Sequence, residues 1–360
     1  MTVNIPLTEL HEESRRVFEI CNACRYCEGF CAVFQEMVKH RTFSDTRLDH
    51  LSNLCHNCTA CYHACQYKPP HEFAINLPTT LAAIRPLTWQ AYAWPSGFAA
   101  LLDQRGLWVT LVLVTLLSLF LMLSFVLLDD SALSHRHLGE GAFYKVIAHS
   151  TIVVLAGGSL LWALLAIVRS AKNFIPAGPF FSASALRATI ADISVLRHLG
   201  GGHGEGCNDQ DEQFSNARRG FHHAAMYGFA LCFAATCTAT FYELILGRMS
   251  PFPYDSLPVL LGITGGVGLI VGPAGLCYLH LRAYPETKSV FGMDIAFSVL
   301  LMLISLSGFA LMLFRETQAM GWLLAIHLGI VLVFFITMPY TKMMHAIYRT
   351  LALIGFHRTN

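Results

Sequence analysis

The sequence predicts an all-α protein, made of a small cysteine-rich helical domain followed by a six-helix transmembrane bundle. Eight of the 12 cysteines fall between positions 21 and 65, and six long apolar segments occupy most of the remaining chain. The chain is 54% hydrophobic and only 13% charged, about half the charged fraction of an average soluble domain. The formal net charge of +1 and the absence of a basic stripe give no reason to expect a nucleic-acid partner.

The cysteines form two copies of the pattern C-x2-C-x2-C-x3-C. This is the ligand spacing of ferredoxin-like proteins with two [4Fe–4S] clusters, where the fourth cysteine of each run ligates the other cluster. A zinc site would use four tetrahedral ligands, usually as two distant C-x2-C pairs, and a disulfide framework would need an oxidising compartment. The expected ligand sets are Cys21, Cys24, Cys27 and Cys65 for one cluster, and Cys31, Cys55, Cys58 and Cys61 for the other.

Composition divides the chain into four regions. These are a cysteine domain (1–68), an interfacial linker (69–105), a membrane bundle (106–345) with one long loop at 169–220, and a tail (346–360). The linker carries five prolines together with Trp89, Tyr92 and Trp94, and such aromatic side chains lie at the membrane–water boundary. We expect the linker to hold the cysteine domain against the lipid bilayer.

Six apolar segments are each long enough to cross a hydrocarbon core of roughly 30 Å, which takes about 20 helical residues. They run over 106–128, 146–168, 221–246, 257–281, 291–314 and 322–345. Lys and Arg concentrate in the second–third loop, the fourth–fifth loop and the tail, whereas the opposite loops hold little beyond Arg136, Arg248 and Arg315. The positive-inside rule then predicts a multi-pass protein of the inner (cytoplasmic) membrane, with both termini and the cysteine domain cytoplasmic. The first 20 residues also lack the apolar core of a signal peptide.

Histidines in the membrane segments indicate haem. Ionisable side chains at membrane depth are costly and mark functional sites, and imidazole is a common axial ligand of haem iron. His327 and His345 are 18 residues apart on the last segment. That is five whole turns, so on a straight helix both face one way, about 27 Å apart. We therefore expect one or two haems b in a b-type cytochrome-like bundle.

Depth in the membrane suggests the partners of these two histidines. His222 and His223 begin the third segment on the cytoplasmic side and match His345, although the sequence does not choose between them. His149 lies near the outer end of the second segment and matches His327, while His280 is a spare candidate for the inner haem. The alternative for each is a hydrogen-bonded interfacial histidine that touches no cofactor.

Two glycine-rich stretches need another interpretation. The 200–207 loop fits neither a Rossmann fingerprint nor a P-loop, and a flexible linker is favoured. Alternatively, His203 and Cys207 act as ligands, or the loop touches a haem propionate or a partner protein. The stretch "GITGGVGLIVGPAG" predicts close packing between membrane helices. No Ser–His–Asp arrangement or carboxylate pair indicates a substrate-converting site.

The two cysteine motifs, "GGGHGEGCND", "NARRGFHHA" and the order of the six segments resemble the tricarballylate (citrate) utilization protein B family over nearly the whole chain. The last segment is also similar to the final helix of the nitrate reductase gamma subunit, where the two haem-ligating histidines correspond to His327 and His345. That similarity places His222 or His223 at the inner haem. It puts Cys232 or Phe233 where the second outer ligand would lie, so the outer haem uses His149 or is absent.

The family resemblance implies a partner, a soluble FAD-dependent tricarballylate dehydrogenase, whose electrons this protein would pass to membrane quinone. The residues alone indicate the same class, because clusters on the cytoplasmic side and haem in the membrane connect a soluble donor to a membrane acceptor. Two alternatives stay open. One is a quinol-oxidising anchor that feeds a heterodisulfide- or fumarate-type reductase. The other is an iron–sulfur redox-sensing transporter, which should show internal repeats and broken helices.

Overall fold

The structure is a computed structural model and describes residues 6–128, 133–176, 180–201, 204–284, 286 and 292–359. The regular elements within these ranges are helices. Strand-like pairing there is limited to one isolated bridge between Cys207 and Ser215. The predicted all-α class is confirmed.

Four short helices build the cysteine domain, namely α1 (Leu7–Cys24), α2 (Ala32–Met37), α3 (Asp45–Leu54) and α4 (Ala60–His63). Apolar side chains at helical spacing on α1 and α3 are fully buried, among them Phe18, Leu48 and Leu51. Each such side chain contributes about 1.5–3 kcal/mol to stability. The first cysteine motif begins in the last turn of α1, which ends at Cys24, and the second begins at Cys55, the C-cap of α3.

The predicted linker folds as part of the cysteine domain. Its helix α5 (Leu77–Tyr92) packs on α1 and α3. Trp89 Nε1 donates to Asn53 Oδ1 at 2.8 Å, and the Tyr92 hydroxyl donates to a carboxylate of α3 at 2.9 Å. These two aromatic side chains therefore face the cysteine domain. Trp94, which is 42% exposed, keeps the exposure expected at a membrane boundary.

Among the described residues, six helices are long and apolar enough to cross a membrane, as predicted. Large apolar side chains are exposed along them, for example Trp108 at 72% and Leu127 at 76%, as expected for a surface that lipid covers. The first five lie in α6 (Ser96–Leu128), α7 (His149–Phe174), α9 (Ala217–Leu244), α10 (Leu257–Leu281) and α11 (Gly292–Phe314), and α8 (Ala183–Ser194) forms part of the long loop.

The sixth segment is broken and not continuous. Helix α12 (Met320–Thr337) is followed by a tight turn at Pro339 and then by helix α13 (Met344–Thr359). Proline removes a helical hydrogen-bond donor and clashes with the preceding turn, so the helix stops here. The expectation that His327 and His345 share one face of a straight helix is therefore wrong.

Helix α13, expected as a tail, is packed into the fold. It lies against α3 of the cysteine domain and α8 of the long loop, and it buries Tyr348, Leu353 and Ile354. At its far end, His357 Nε2 lies 2.8 Å from Asp192 in α8. The cysteine domain, the long loop and α13 thus form one layer on one side of the bundle.

Helices α9 and α10 pack backbone to backbone. A Cβ added to Gly228 would lie 2.9 Å from Gly265 O, and one added to Gly265 would lie 2.7 Å from Cys232 N. A Cβ on Gly268 would lie 2.7 Å from Ala224 O. Only glycine permits this approach, so the predicted packing role of the second glycine-rich stretch is confirmed. The contact fixes the rotation of α9 and of the histidine pair in its first turns.

Candidate functional site

The eight predicted cysteine ligands line two neighbouring cavities. One has a volume of about 230 Å³ and the other about 30 Å³. Each cavity combines three cysteines of one motif with the last cysteine of the other motif. The larger, which we call the first cavity, is lined by Cys21, Cys24, Cys27 and Cys65. The smaller, which we call the second cavity, is lined by Cys31, Cys55, Cys58 and Cys61. Cys61 also reaches the first cavity. This matches the crossed arrangement expected from the spacing.

Left-handed backbone positions form the turns of both motifs. Arg25 follows α1 with a φ of 56°, while Asn57 and Thr59 flank Cys58 with φ values of 54° and 58°. Such conformations cost non-glycine residues on the order of 1–3 kcal/mol and persist where the surroundings hold them. The helices on either side of each motif therefore hold its thiols in tight turns.

Burial and mutual proximity make the free thiols hard to ionise. Burial, followed by the nearby Cys65 thiol, raises the pKa of Cys21 to about 12. Burial, followed by the nearby Cys58 thiol, likewise raises the pKa of Cys31. Both shifts couple a cysteine to the opposite motif. Because metal binding requires thiolates, a cation in each cavity would offset their repulsion.

The donor sets suit a polynuclear cluster. Within the described ranges, no three His, Cys, Asp or Glu side chains converge on a point where a single metal ion could bind. A [4Fe–4S] cluster is held by four thiolates, each on a different iron, so its cysteines stand around a cavity. Four thiols at each of two cavities fit two such clusters.

A pair of imidazoles lies beside the second cysteine motif. The ring centroids of His222 and His345 are 5.9 Å apart, with the ring planes at 78°. An imidazole nitrogen lies about 2 Å from a bound metal, so two rings at this separation would be able to hold one metal ion between them. His223 instead stacks on Tyr227 at 5.8 Å. The ring that lies next to that of His345 is therefore that of His222, and the haem-ligand role of the two stays a prediction.

Both imidazoles have a nitrogen suited to a metal. His345 Nδ1 bonds the Lys342 carbonyl, which can only accept, so Nε2 is the unprotonated nitrogen of the neutral ring. Lys342 is held in turn by an ion pair with Asp294 at 2.6 Å. His222 Nδ1 is buried and has no hydrogen-bond partner among the described residues. An unsatisfied buried nitrogen costs about 1–3 kcal/mol, and a haem iron between the rings would fit this pair.

Arginines one helical turn from each imidazole bind the second cysteine motif. Arg218 lies four residues before His222, and its Nη1 donates to Asn57 O at 2.6 Å. Arg349 lies four residues after the other imidazole, and its Nη2 donates to Cys55 O at 2.9 Å. Two direct hydrogen bonds therefore fix the imidazole pair relative to the second cavity.

The glycine-rich loop covers the second cysteine motif, so the expectation of a flexible linker is wrong for its described residues. Asn208 N donates to Cys58 O at 3.0 Å, and the Thr59 hydroxyl donates to Asn208 O at 2.5 Å. Gly206 has a φ of 127°, and a Cβ there would collide with the backbone of Ser215. The glycines allow the loop to fold tightly against the motif.

The two ligand candidates of this loop differ in outcome. His203 lies outside the described residues. Cys207 is fully buried beside Cys58, and its Sγ donates to Leu199 O at 3.4 Å. Burial raises the pKa of its thiol. Cys207 therefore acts as a packing residue of the loop.

On the opposite side of the bundle, His149 and His327 have separate partners. His149 Nε2 lies 3.5 Å from Glu243 Oε2, and the Tyr144 hydroxyl donates to the other carboxylate oxygen, Oε1. His327 Nδ1 lies 2.9 Å from the Ser307 hydroxyl. In the part of the chain that is described, the two rings are not in contact. The outer haem pair stays a prediction.

His280 lies in the last turn of α10, on the side of the cysteine domain. It is close enough to Asp294 for an electrostatic interaction. The imidazole that lies edge to face with His345 is that of His222, and a ligand role for His280 also stays a prediction.

The sequence did not identify three arginines that bind carbonyls at the second cysteine motif, namely Arg85, Arg218 and Arg349. Arg218 and Arg349 entered only as loop and tail charges, although each lies four residues from a predicted haem ligand. That spacing is a usable signal, because residues four apart share one helix face. Arg85 gives no local signal, since its bonded carbonyls lie 30 and 33 residues away in sequence.

Comparisons with known proteins agree with this architecture. Residues 103–359 match the family model described as Citrate utilization protein B, and residues 14–91 match the Citrate utilization protein B Fer4-like domain. The chain is 46% identical over 362 residues to Citrate utilization protein B of Escherichia coli, covering 97% of this chain and 92% of that protein. No solved structure matches. With a Fer4-like domain and a bundle that both match over most of their length, the chain belongs to the citrate utilization protein B family.

Proposed function

We propose that this protein accepts electrons from a soluble FAD-dependent dehydrogenase of tricarballylate, or of a related tricarboxylate, and delivers them to the membrane quinone pool. The family name supports the substrate class. Two [4Fe–4S] clusters and a haem b, when bound, supply the one-electron chemistry. The chain's own residues hold these sites and set their order.

One observation carries the proposal: arginines one helical turn from each imidazole of the pair hydrogen-bond to the second cysteine motif. Arg349 connects the Cys55 carbonyl to the turn of α13 that bears His345. Arg218 connects the Asn57 carbonyl to the turn of α9 that precedes His222. A thiol site and an imidazole site held together in this way are arranged for electron transfer between a surface domain and a membrane bundle.

Exposure gives the order of the sites. At the first cavity, Cys24 is exposed and the neighbouring Tyr26 is 68% exposed, so a soluble donor can approach this side. The second cavity is covered by the glycine-rich loop through Asn208. The imidazole pair lies beyond it, at the membrane end. We infer that electrons enter at the first cavity and leave toward the bundle.

We place the protein in the inner membrane, with both termini, the cysteine domain and the long loop in the cytoplasm. The Lys and Arg bias of the loops supports this orientation. It is also consistent with the single layer formed by the cysteine domain, α8 and α13. The haem site that geometry supports is the one at His222 and His345.

An anaerobic reconstitution tests the proposal. The purified protein is mixed with the reduced dehydrogenase and a soluble quinone analogue, and quinol is measured with time. Quinol should form only when all three components are present, with two electrons and two protons taken up per quinone. A matched variant, His345→Ala, should lose turnover, whereas His223→Ala should keep it.

The opposite result has a clear meaning. If quinol reduces the protein but the reduced dehydrogenase does not, the chain is a quinol-oxidising anchor for a reductase. If neither reduces it and no b-type absorbance is present, the electron-transfer proposal is wrong.

A further inference from the structure

One buried and one half-buried guanidinium group, of Arg85 and Arg349, converge on one carbonyl of the second cysteine motif. Arg85 Nη2 donates to Cys55 O at 2.8 Å, and Arg349 Nη2 donates to the same oxygen at 2.9 Å. Their Nε atoms donate to the neighbouring carbonyls of Ser52 and Asn53. The two arginines come from α5 and α13, so distant parts of the chain bring positive charge to one cysteine.

Among the described residues, no ion pair is formed by either of these two guanidinium groups. Within the described ranges, neither guanidinium has a carboxylate within ion-pair distance; their recorded partners are the backbone carbonyls. The nearby carboxylate of Asp294 is already paired with Lys342 at 2.6 Å. Arginine stays charged in proteins, and buried charges usually have an ionic partner. Two uncompensated cations beside Cys55 therefore require an explanation.

The first cavity differs in this respect. Lys68 is the cation near Cys65, and its ammonium also lies 3.8 Å from the Glu212 carboxylate. Cys24 and Tyr26 are exposed there, so water can also stabilise added charge. At the second cavity none of the four cysteines is exposed, and two guanidinium groups lie at Cys55.

We propose that Arg85 and Arg349 are potential-setting residues that make the buried second [4Fe–4S] site reducible by the exposed first one. Reduction adds one negative charge to a site that already carries four thiolates. Burial disfavours that extra charge, and nearby cations favour it. The two arginines offset the unfavourable effect of burial on reduction at the second cavity, where electrons pass from the cysteine domain toward the membrane bundle. This inference rests on the proposed function, since it presumes that both cavities hold clusters.

The test is an anaerobic redox titration of the full-length protein followed by electron paramagnetic resonance. Cys24→Ser changes the ligands of the first cavity alone and so assigns the two cluster signals. Arg85→Gln and Arg349→Gln each remove one charge, while Arg349→Lys keeps it. Lys68→Gln is the matched control at the first cavity.

Each glutamine variant should lower the reduced-to-oxidised ratio of the second-cavity signal about tenfold at a fixed ambient potential, which is about 59 mV for a one-electron couple. The first-cavity signal should change less than about twofold. Arg349→Lys should retain most of the wild-type ratio, and Lys68→Gln should act on the first signal more than on the second. Equal shifts of both signals, or no shift of the second, would overturn the inference.

A second variant covers the case in which a glutamine variant fails to assemble. Asp294→Asn removes the carboxylate paired with Lys342 and leaves a further positive charge near Arg85. It should shift the second-cavity signal in the opposite direction, toward easier reduction, and an unchanged ratio would count against the inference. Absence of any cluster signal in the wild-type protein would instead refute the proposed function itself.

Discussion

Replacing Arg218 with alanine should open the glycine-rich loop that covers the second cysteine motif. Arg218 Nη2 pairs with the Asp209 carboxylate at 2.5 Å, and the two side chains are 19% and 2% exposed. Removing one partner of a buried ion pair costs about 3–5 kcal/mol, because an uncompensated charge stays behind. Asp209 directly follows the glycine-rich loop, and Arg218 belongs to α9. Losing the ion pair therefore destabilises the closed position of the loop.

Cys207 reports the opening. It is fully buried and lies two residues before Asp209, so alkylation of its thiol requires the loop to open. A tenfold change in an equilibrium corresponds to 1.36 kcal/mol. A cost of about 3–5 kcal/mol therefore raises the labelling rate between roughly a hundredfold and several thousandfold. Iodoacetamide labelling of the full-length protein, followed by peptide mass mapping, measures this rate.

The effect should depend on pH. Burial raises the pKa of Asp209 above its ordinary value of 3.8, and Arg218 opposes that shift. The closed loop thus binds the proton more tightly than the open one, so its stability falls as pH rises from 3.8 through the raised pKa. Without Arg218 the pKa of Asp209 rises further, so the pH range over which the closed loop loses stability extends to higher pH. The ratio of variant to wild-type labelling should therefore be smaller at pH 5 than at pH 8.

Two controls make the result specific. Arg219→Ala removes a half-buried neighbour on the same helix that donates to Val195 O, and it should change labelling by about tenfold at most. The double variant Arg218→Ala/Asp209→Asn leaves no buried charge and should recover most of the protection. If Arg218→Ala labels no faster than Arg219→Ala, or if the double variant shows no recovery, the ion pair does not hold the loop.

Two further predictions concern the cavities and the helix pair. Cys65→Ala should disturb the cluster signal of the first cavity, although Cys65 lies in the second motif. Cys31→Ala should disturb the signal of the second cavity, although Cys31 lies in the first motif. Electron paramagnetic resonance spectra that show the reverse would contradict the crossed grouping. Gly265→Ala should lower the midpoint of thermal unfolding in detergent, since its Cβ would lie 2.7 Å from Cys232 N and overpacking costs about 1–3 kcal/mol. Gly262→Ala, whose Cβ would lie 3.9 Å from its neighbour, should leave the midpoint within error.

Local patterns explain what could be predicted from the sequence. The predicted cysteine ligands fall in two short runs with one spacing, and the crossed grouping expected from that spacing agrees with the residues that line the two cavities. The six membrane segments follow from length and apolar composition. The packing role of the glycines around Gly265 also follows, because small residues in an apolar helix have few other uses.

Long-range contacts explain what could not be predicted. The choice of His222 over His223 depends on how α9 is rotated against α10, which the sequence of α9 does not contain. The covering role of the glycine-rich loop depends on a bond between Thr59 and Asn208, which are 149 residues apart. The break in the last segment has a local cause in Pro339, but whether a proline bends or ends a membrane helix depends on its neighbours.

The central claim, that α9 and α13 present one imidazole pair beside the second cysteine motif, is tested most directly by a spectrum. Reduced-minus-oxidised difference spectra are recorded for the wild-type protein, His222→Ala and His223→Ala, purified under identical conditions. The ring geometry predicts a b-type haem band that is lost or shifted in His222→Ala and kept in His223→Ala. A band that survives His222→Ala unchanged, or that disappears only in His223→Ala, would contradict the account.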